Sequence, residues 1–504
     1  MRATDTRATD TRATDTLEPL ENPLILAIDI GTSSVRAAIY DGNANPIPRT
    51  SVKLERSFSV TADGGSELNS LEAFDQVVAA IDAVLEKSTK IKSEIAYVTS
   101  CSFWHSLVGV DSGGNPTPSI LGWADTRSRD YTEILRKKLN EKEVHNRTGA
   151  RFHSSYWPAK LLWLQTEFPS AYANAAGLFS FSDFLALKLF DKPVTSISMA
   201  SGTGLFDIRK CEWDPELVKA LKIKPSLLPP IADGVSATYR LNKIFAKRWP
   251  RLASAKWFPT IADGAADNIG AGCVTASKAA LMIGTSGAMR VAYTGEPPEA
   301  IPEGLWCYRV DRERVIIGGA LSDGGGLYRW LKANLKLPKD AEAQIANRAP
   351  SGLAFLPFLA GERSTGYNED ARGAMFGLTS ATDSVDILQS ALESVAFRFA
   401  EIFDQLSTVV DIKQIVASGG ALRESAVWAQ IIADVLGRDL VMNGASESSL
   451  RGAALLALES IGKINKITLS SSAKKKVFTA NRDRFDLYRV ARKRHSEFYK
   501  LVNR

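Results

Sequence analysis

Cysteine and histidine are scarce in this 504-residue chain, with four of each. The cysteines (Cys101, Cys211, Cys273 and Cys307) lie far apart and show no C-x-x-C spacing. That excludes a disulfide framework and a zinc site of the paired-cysteine kind, and it reads as reduced thiols in a cytoplasmic protein. No run of 18 residues is free of charge and polarity, so neither a membrane-spanning helix nor a membrane partner is expected. The first residues lack an apolar core and do not read as a secretory signal. Also missing are G-x-x-x-x-G-K-[ST] and a G-x-G-x-x-G behind a strand. The chain is therefore neither a P-loop enzyme nor an obvious dinucleotide-binding dehydrogenase.

What is there is an ordinary globular mixture, 45% apolar and 23% charged, long enough for two to four domains of roughly 150 residues each. The net charge of +6 has an address. Residues 474–504 hold 11 Lys/Arg against 3 Asp/Glu, and the remainder, with 51 basic and 53 acidic residues, is close to neutral. A nucleic-acid enzyme would carry a basic stripe on its folded body. Here Phe485, Tyr488, Ala491, Phe498 and Val502 recur at mostly helical spacing, which predicts a terminal helix docked by one face, with no nucleic-acid partner. At the other end RATDT occurs three times within 16 residues, a low-complexity, polar segment read as a disordered leader over 1–22.

From residue 24 the pattern changes. LILAIDI predicts a buried strand, GTSS a tight polar turn, and VRAAIY a returning strand. The unit recurs as AALMIGTSGAMRVAYTG at 279–295, so Ile30-Gly31-Thr32-Ser33 and Ile283-Gly284-Thr285-Ser286 are identical and 253 residues apart. The pair implies two related α/β domains, 23–275 and 276–504, each opening with a β-hairpin. A Gly-Thr-Ser turn exposes backbone N–H groups and lets a ligand approach closely. Two such turns facing across a cleft would hold a polyphosphate from both sides. Elsewhere helices are expected over 71–87, 131–144, 385–406, 425–437 and 449–461. A strand pair is expected over 98–111, and short strands over 257–261 and 412–418.

Six segments in order resemble the FGGY family of carbohydrate kinases, within the actin-like (ribonuclease H-like) ATPase superfamily. They are LAIDIGTSSVRAAIYD, GWADTRS at 122–128, DGAADNIGAG at 263–272, MIGTSGAMRV, FLPFLAGERSTGYNEDARGAMFGLTS at 355–380, and SGGALRESAVWAQIIADVLG at 418–437. The resemblance covers residues 24 to about 500. It implies two actin-like α/β domains around a central nucleotide and sugar cleft, and ATP-dependent phosphorylation of a small sugar, sugar acid or polyol. It leaves a homodimer open.

It also implies roles for residues. The base is an aspartate: Asp263, in the Asp-Gly-Ala of gluconokinase-like members, is favoured by spacing, with Asp267, in the Asp-Asn of xylulokinase-like members, as the alternative. Asp29 resembles the residue that organises Mg²⁺ through water. Gly31, Thr32, Ser33 and Arg36 resemble phosphate contacts of the first hairpin, and Gly284, Thr285 and Ser286 those of the second. Gly325, Gly420 and Glu424 match adenosine-side positions. On the acceptor side, Trp104 and His105 resemble a pair that contacts substrate hydroxyls. Trp123, Asp125 and Arg127 stand at i, i+2 and i+4, so in an extended segment a ring, a carboxylate and a guanidinium would share one face suited to a polyol. Arg127 would also suit a substrate carboxylate as a bidentate fork.

The resemblance is nearest to gluconokinase-like members, through SMASGTGLFDIRKCEWD, Trp306-Cys307-Tyr308 and GGALSDGGGLYRWL. The expected acceptor is thus gluconate or a related sugar acid, ahead of xylulose or another ketopentose, ahead of a further polyol. A non-catalytic sugar- and nucleotide-binding actin-like protein is the competing class.

Overall fold

The computed structural model describes residues 23–116, 119–232, 238–444, 447–467 and 476–503. The 1–22 leader lies outside them. Two mixed sheets organise the chain. In the first, Lys256–Trp257 and Ile261–Ala262 flank Ile95–Ser102, followed by Leu24–Ile30, Ser34–Tyr40 and Val52–Glu55. In the second the order is Trp306–Arg309, Arg314–Leu321, Gly287–Thr294, Lys278–Ile283, Gln414–Ser418, Leu440–Met442 and Val477–Phe478. Each sheet is built on an antiparallel hairpin whose first strand pairs in parallel with a later strand. The expected hairpins therefore form, with the same neighbours in both halves.

The strand Leu24–Ile30 is buried throughout, which is why it reads as an unbroken apolar run. Its period-2 alternation splits the run between two cores. Leu24, Leu26, Ile28 and Ile30 face the cluster that includes Ala73, Val77, Ile81 and Val84 of the helix Ser70–Lys87. Ile25 and Ala27 face inward, against Ile269, Leu450 and Ala454. Asp29 continues that inward set, so alternation alone aims its carboxylate away from the outer helix layer.

The inner core is made by two helices, Asp263–Gly270 and Ser448–Ser460. Their backbones approach so closely that a Cβ on Gly270 would lie 1.8 Å from the Ser448 carbonyl oxygen. A Cβ on Gly452 would lie 1.8 Å from that of Ala266. The same core takes in Ala292, Trp306, Tyr308 and Ile316 of the second sheet, so it joins the two sheets across the molecule.

Four local expectations need correction. The 257–261 strand is two short ones, Lys256–Trp257 and Ile261–Ala262, each pairing with Ile95–Ser102. The 98–111 segment is not a strand pair. Ile95–Ser102 lies inside the first sheet, whereas Val108–Val110 pairs with Gly177–Phe179. The 131–144 helix is two helices, Asp130–Lys138 and Glu141–Thr148, because Asn140 accepts from the Glu143 N–H and starts a new one. Residues 123–127 are a turn, not an extended segment. The terminal helix Arg482–Val502 does dock by one face, burying Tyr488, Ala491 and His495, while Val502 stays exposed. Part of its charge is used at home, as Arg484 pairs with Asp434 at 3.0 Å and Arg492 with Asp404 at 2.7 Å. All four cysteines are buried thiols. Among the described residues no helix is long and apolar enough to cross a membrane.

Gly452→Ala should cost about 1–3 kcal/mol, since the added methyl meets a backbone carbonyl that cannot move aside. Gly352→Ala, with nothing within 4 Å of its Cβ position, should stay within about 0.5 kcal/mol of the parent. Denaturant unfolding of both variants checks the contrast.

Candidate active site

The two Gly-Thr-Ser bends open onto one cleft of about 680 Å³. Gly31, Thr32, Ser33 and Arg36 line it from the first hairpin, and Gly284 and Thr285 from the second. Ser286 turns its backbone inward, its carbonyl accepting from the Gly284 N–H, and is not among the lining residues. The second bend is pinned from behind by the start of the helix Gly325–Asn334. There the Gly325 N–H donates to the Gly284 carbonyl at 2.8 Å and the Gly326 N–H to Thr285 at 2.9 Å. Gly325 also lines the cleft, as do Gly420 and Glu424. Gly419, just before them, has φ +102°, and a Cβ there would sit 2.1 Å from the Ile283 carbonyl oxygen. Only glycine lets the end of Gln414–Ser418 lie this close to the second bend.

The cleft floor is acidic. Asp263 is the first residue of its helix, directly after the strand Ile261–Ala262, and its Oδ1 accepts from the Gly264 N–H at 2.7 Å. Asp267 lies one turn further on and is matched by Arg290 at 2.9 Å. Asp29 is matched by Arg36 at 2.7 Å, and Arg36 also reaches Glu447 at 2.8 Å, tying the first hairpin to the chain just ahead of Ser448–Ser460. Asp263 has no ion pair of its own among the described residues. Burial pushes its carboxyl up to about 7, Asp29 adds to the rise, and Arg290 opposes it. Burial also raises Asp29 against the pull of Arg36, and Asp267 against that of Arg290.

None of the five expected acceptor residues lines this cleft. Trp104 begins where it ends: a Cβ on Gly264 would lie 2.6 Å from the Trp104 ring and 2.3 Å from Arg290. The indole N–H of Trp104 donates to the Ser198 carbonyl. His105, at φ +69°, sets Nδ1 2.5 Å from the Gly202 carbonyl. Burial and the nearby Arg363 charge hold its pKa well down, so the ring is neutral and Nε2 is left as an acceptor. Trp123 lies under the Arg363 guanidinium at 5.2 Å.

Asp125 and Arg127 do not join Trp123 on one face, because the segment turns. Asp125 accepts from the Ser66 and Arg127 N–H groups and pairs with the Arg127 guanidinium at 2.6 Å. Arg127 also pairs with Glu67 at 2.5 Å and lies over Trp163. The fork expected for a substrate carboxylate is already engaged.

Several residues in and around the cleft escaped the sequence reading. Arg290 had a signal, since both hairpins carry an arginine on the returning strand. Lys160 had a fainter one, a lysine alone in the apolar run WPAKLLW. It is buried and donates to the carbonyls of His105, Gly122 and Ser155, stitching three loops together, and burial lowers its pKa to about 7. Arg363 and Glu369 had none, because nothing local shows that residues 357–373 cross to the first half. There Glu369 accepts from the Ser154 N–H at 3.1 Å, and Arg151 lies over Tyr367.

Family models match both halves: the FGGY family of carbohydrate kinases, N-terminal domain, over residues 24–253, and its C-terminal domain over 279–460. A gluconokinase from Bacillus subtilis (strain 168) is 28% identical over 467 residues, 88% of each chain. A gluconate kinase structure from Lactobacillus acidophilus superposes with a TM-score of 0.86 at 26% identity, over 95% of this chain and 98% of that one. A ligand-bound xylulose kinase from the same organism gives the same TM-score, identity and coverage.

The raised carboxyl of Asp263 has a thermodynamic signature. Between its ordinary pKa near 4 and about 7, the folded protein keeps a proton that the unfolded chain releases, so stability falls as pH rises through that window. Asp263→Asn keeps the shape without the charge. It should melt above the parent at pH 8, with the gap narrowing towards pH 4, as read by calorimetric melts across that range.

Proposed function

This chain belongs to the FGGY family of carbohydrate kinases, and we propose that it passes the γ-phosphoryl group of ATP to a hydroxyl of gluconate or a related sugar acid, with Asp263 as base. ATP-dependent phosphotransfer to an alcohol follows from the family. The acceptor rests on the gluconokinase relatives. The observation that carries the assignment of the base is the Asp263 carboxylate, with no ion pair among the described residues, on the floor of the cleft shared by the two bends.

Phosphoryl transfer asks a protein mainly for positioning and for neutralisation of charge. In this reading Thr32 and Ser33 meet the phosphates from one side and Thr285 from the other, with the backbones of Gly31, Gly284 and Ser286 shaping the bends. Arg36 faces the same phosphates, and Gly325, Gly420 and Glu424 border the adenosine. The acceptor hydroxyl gives its proton to Asp263 as its oxygen bonds to phosphorus and the bond to ADP breaks. Asp267 is a poorer base, because Arg290 already neutralises it. Trp104, His105 and Trp123 border the acceptor, while Asp125 and Arg127 hold the turn that presents Trp123.

Asp29 fits magnesium. It is a buried carboxylate on the cleft, and its Oδ2 faces the Arg36 guanidinium at 2.7 Å. Among the described residues no three His, Cys, Asp or Glu are spaced to cage an ion. Magnesium needs no such cage, since it keeps several waters and takes one or two carboxylates. When bound it supplies positive charge beside the phosphates.

A ketopentose is the second reading, favoured by the equal likeness to the xylulose kinase structure. A coupled ADP-release assay over gluconate, xylulose, glycerol and glucitol should give its highest kcat/KM with gluconate, and a preference for xylulose overturns the acceptor. Asp263→Ala should lower kcat at least ~100-fold, the scale of losing a positioned base. If Asp267→Ala does so instead, the base is Asp267. Because the base works ionised, log kcat/KM should fall as pH drops below about 7.

A further inference from the structure

We propose that Arg363 binds the carboxylate of the acceptor and so sets the choice of a sugar acid over a neutral polyol. This rests on the acceptor reading above and names the residue that would enforce it. Arg127 is spent on Asp125 and Glu67, and Lys160 on three backbone carbonyls. His105 is neutral. Arg363 is different: among the described residues it has no ion pair, and its guanidinium lies over Trp123 with Nη2 3.5 Å from His105 Nε2. A half-buried guanidinium without a counter-ion is costly, and an anionic ligand removes that cost. Its planar fork matches a carboxylate with two parallel hydrogen bonds, and the cation–π contact with the Trp123 ring helps hold the fork in place.

The position suits the chemistry. From Asp263 the chain of contact runs through Gly264 to Trp104, His105 and Arg363. An acid gripped at Arg363 points its hydroxyl end, and not its carboxylate, towards Asp263. A carboxylate beside that base would repel its ionised form, so the separation serves the reaction. Arg363 also comes from the second half of the chain, on a segment that Glu369 anchors to Ser154 of the first. Acceptor binding would then draw on both halves.

The test compares Arg363→Gln and Arg363→Lys in the full-length protein, with gluconate and neutral glucitol as competing ligands. The parent should bind gluconate in preference to glucitol by about 10- to 100-fold, the scale of a charge-assisted hydrogen-bonded pair. Arg363→Gln should close that gap by raising the KM for gluconate far more than it lowers kcat, and Arg363→Lys should restore part of it. An Arg363→Gln enzyme that keeps the preference, or that weakens both ligands equally, overturns the role of Arg363 while leaving the acceptor intact. A parent that turns over xylulose and not gluconate overturns the acceptor reading, and the carboxylate role with it. If Arg363→Gln does not fold, Arg363→Lys decides: an unchanged KM for gluconate counts against the proposal and a raised one supports it.

Discussion

The near-contact of two helix backbones, Asp263–Gly270 against Ser448–Ser460, is the constraint on which the rest depends. Gly270 and Gly452 leave no room for a side chain between them. That crossing draws a helix from late in the chain onto the inner face of the first sheet, against Ile25 and Ala27. It brings Glu447, at the head of that helix, within reach of Arg36 on the first hairpin. It also holds the helix that begins with Asp263 at the floor of the cleft between the two bends. A methyl group at either glycine would push apart elements that line one cleft.

Charge on that floor is arranged by pairing. Arg36 takes Asp29 and Glu447, and Arg290 takes Asp267. One arginine on each returning strand answers the acids beside it, and among the described residues Asp263 has no ion pair and accepts from the Gly264 N–H. Two carboxylates four residues apart on one helix thus differ in availability, because among the described residues Asp267 pairs with a guanidinium and Asp263 does not. The same contrast recurs beside Trp104 and His105, where Arg127 pairs with Asp125 and Glu67 while Arg363 has no ion pair among the described residues.

Much of this was legible in the residues. A buried strand, a Gly-Thr-Ser bend and a returning strand, repeated 253 residues later, announced two hairpins on one plan, and both form. The helix Ser384–Leu406 announced itself through its apolar stripe and is capped by Asp383. Reading failed where tertiary demands override local pattern. Asp125 folds its segment into a turn by accepting from Ser66, 59 positions earlier, so the i, i+2, i+4 spacing never meets an extended chain. The 98–111 segment looked like one hairpin because its two apolar runs are close in sequence. They pair with different partners, Leu24–Ile30 and Gly177–Phe179.

By itself the sequence determined the elements that local chemistry dictates: the glycine bends, the alternation that turns Asp29 inward, and the strand-to-helix step that presents Asp263. Those follow from φ freedom, side-chain period and capping, which act within a few residues. Only the tertiary structure decided which charges pair with one another. Ion pairs such as Arg36 with Glu447, and the reach of Arg363 to His105, join residues hundreds of positions apart. No local pattern encodes such distances, since they depend on how two sheets and their shared helices pack.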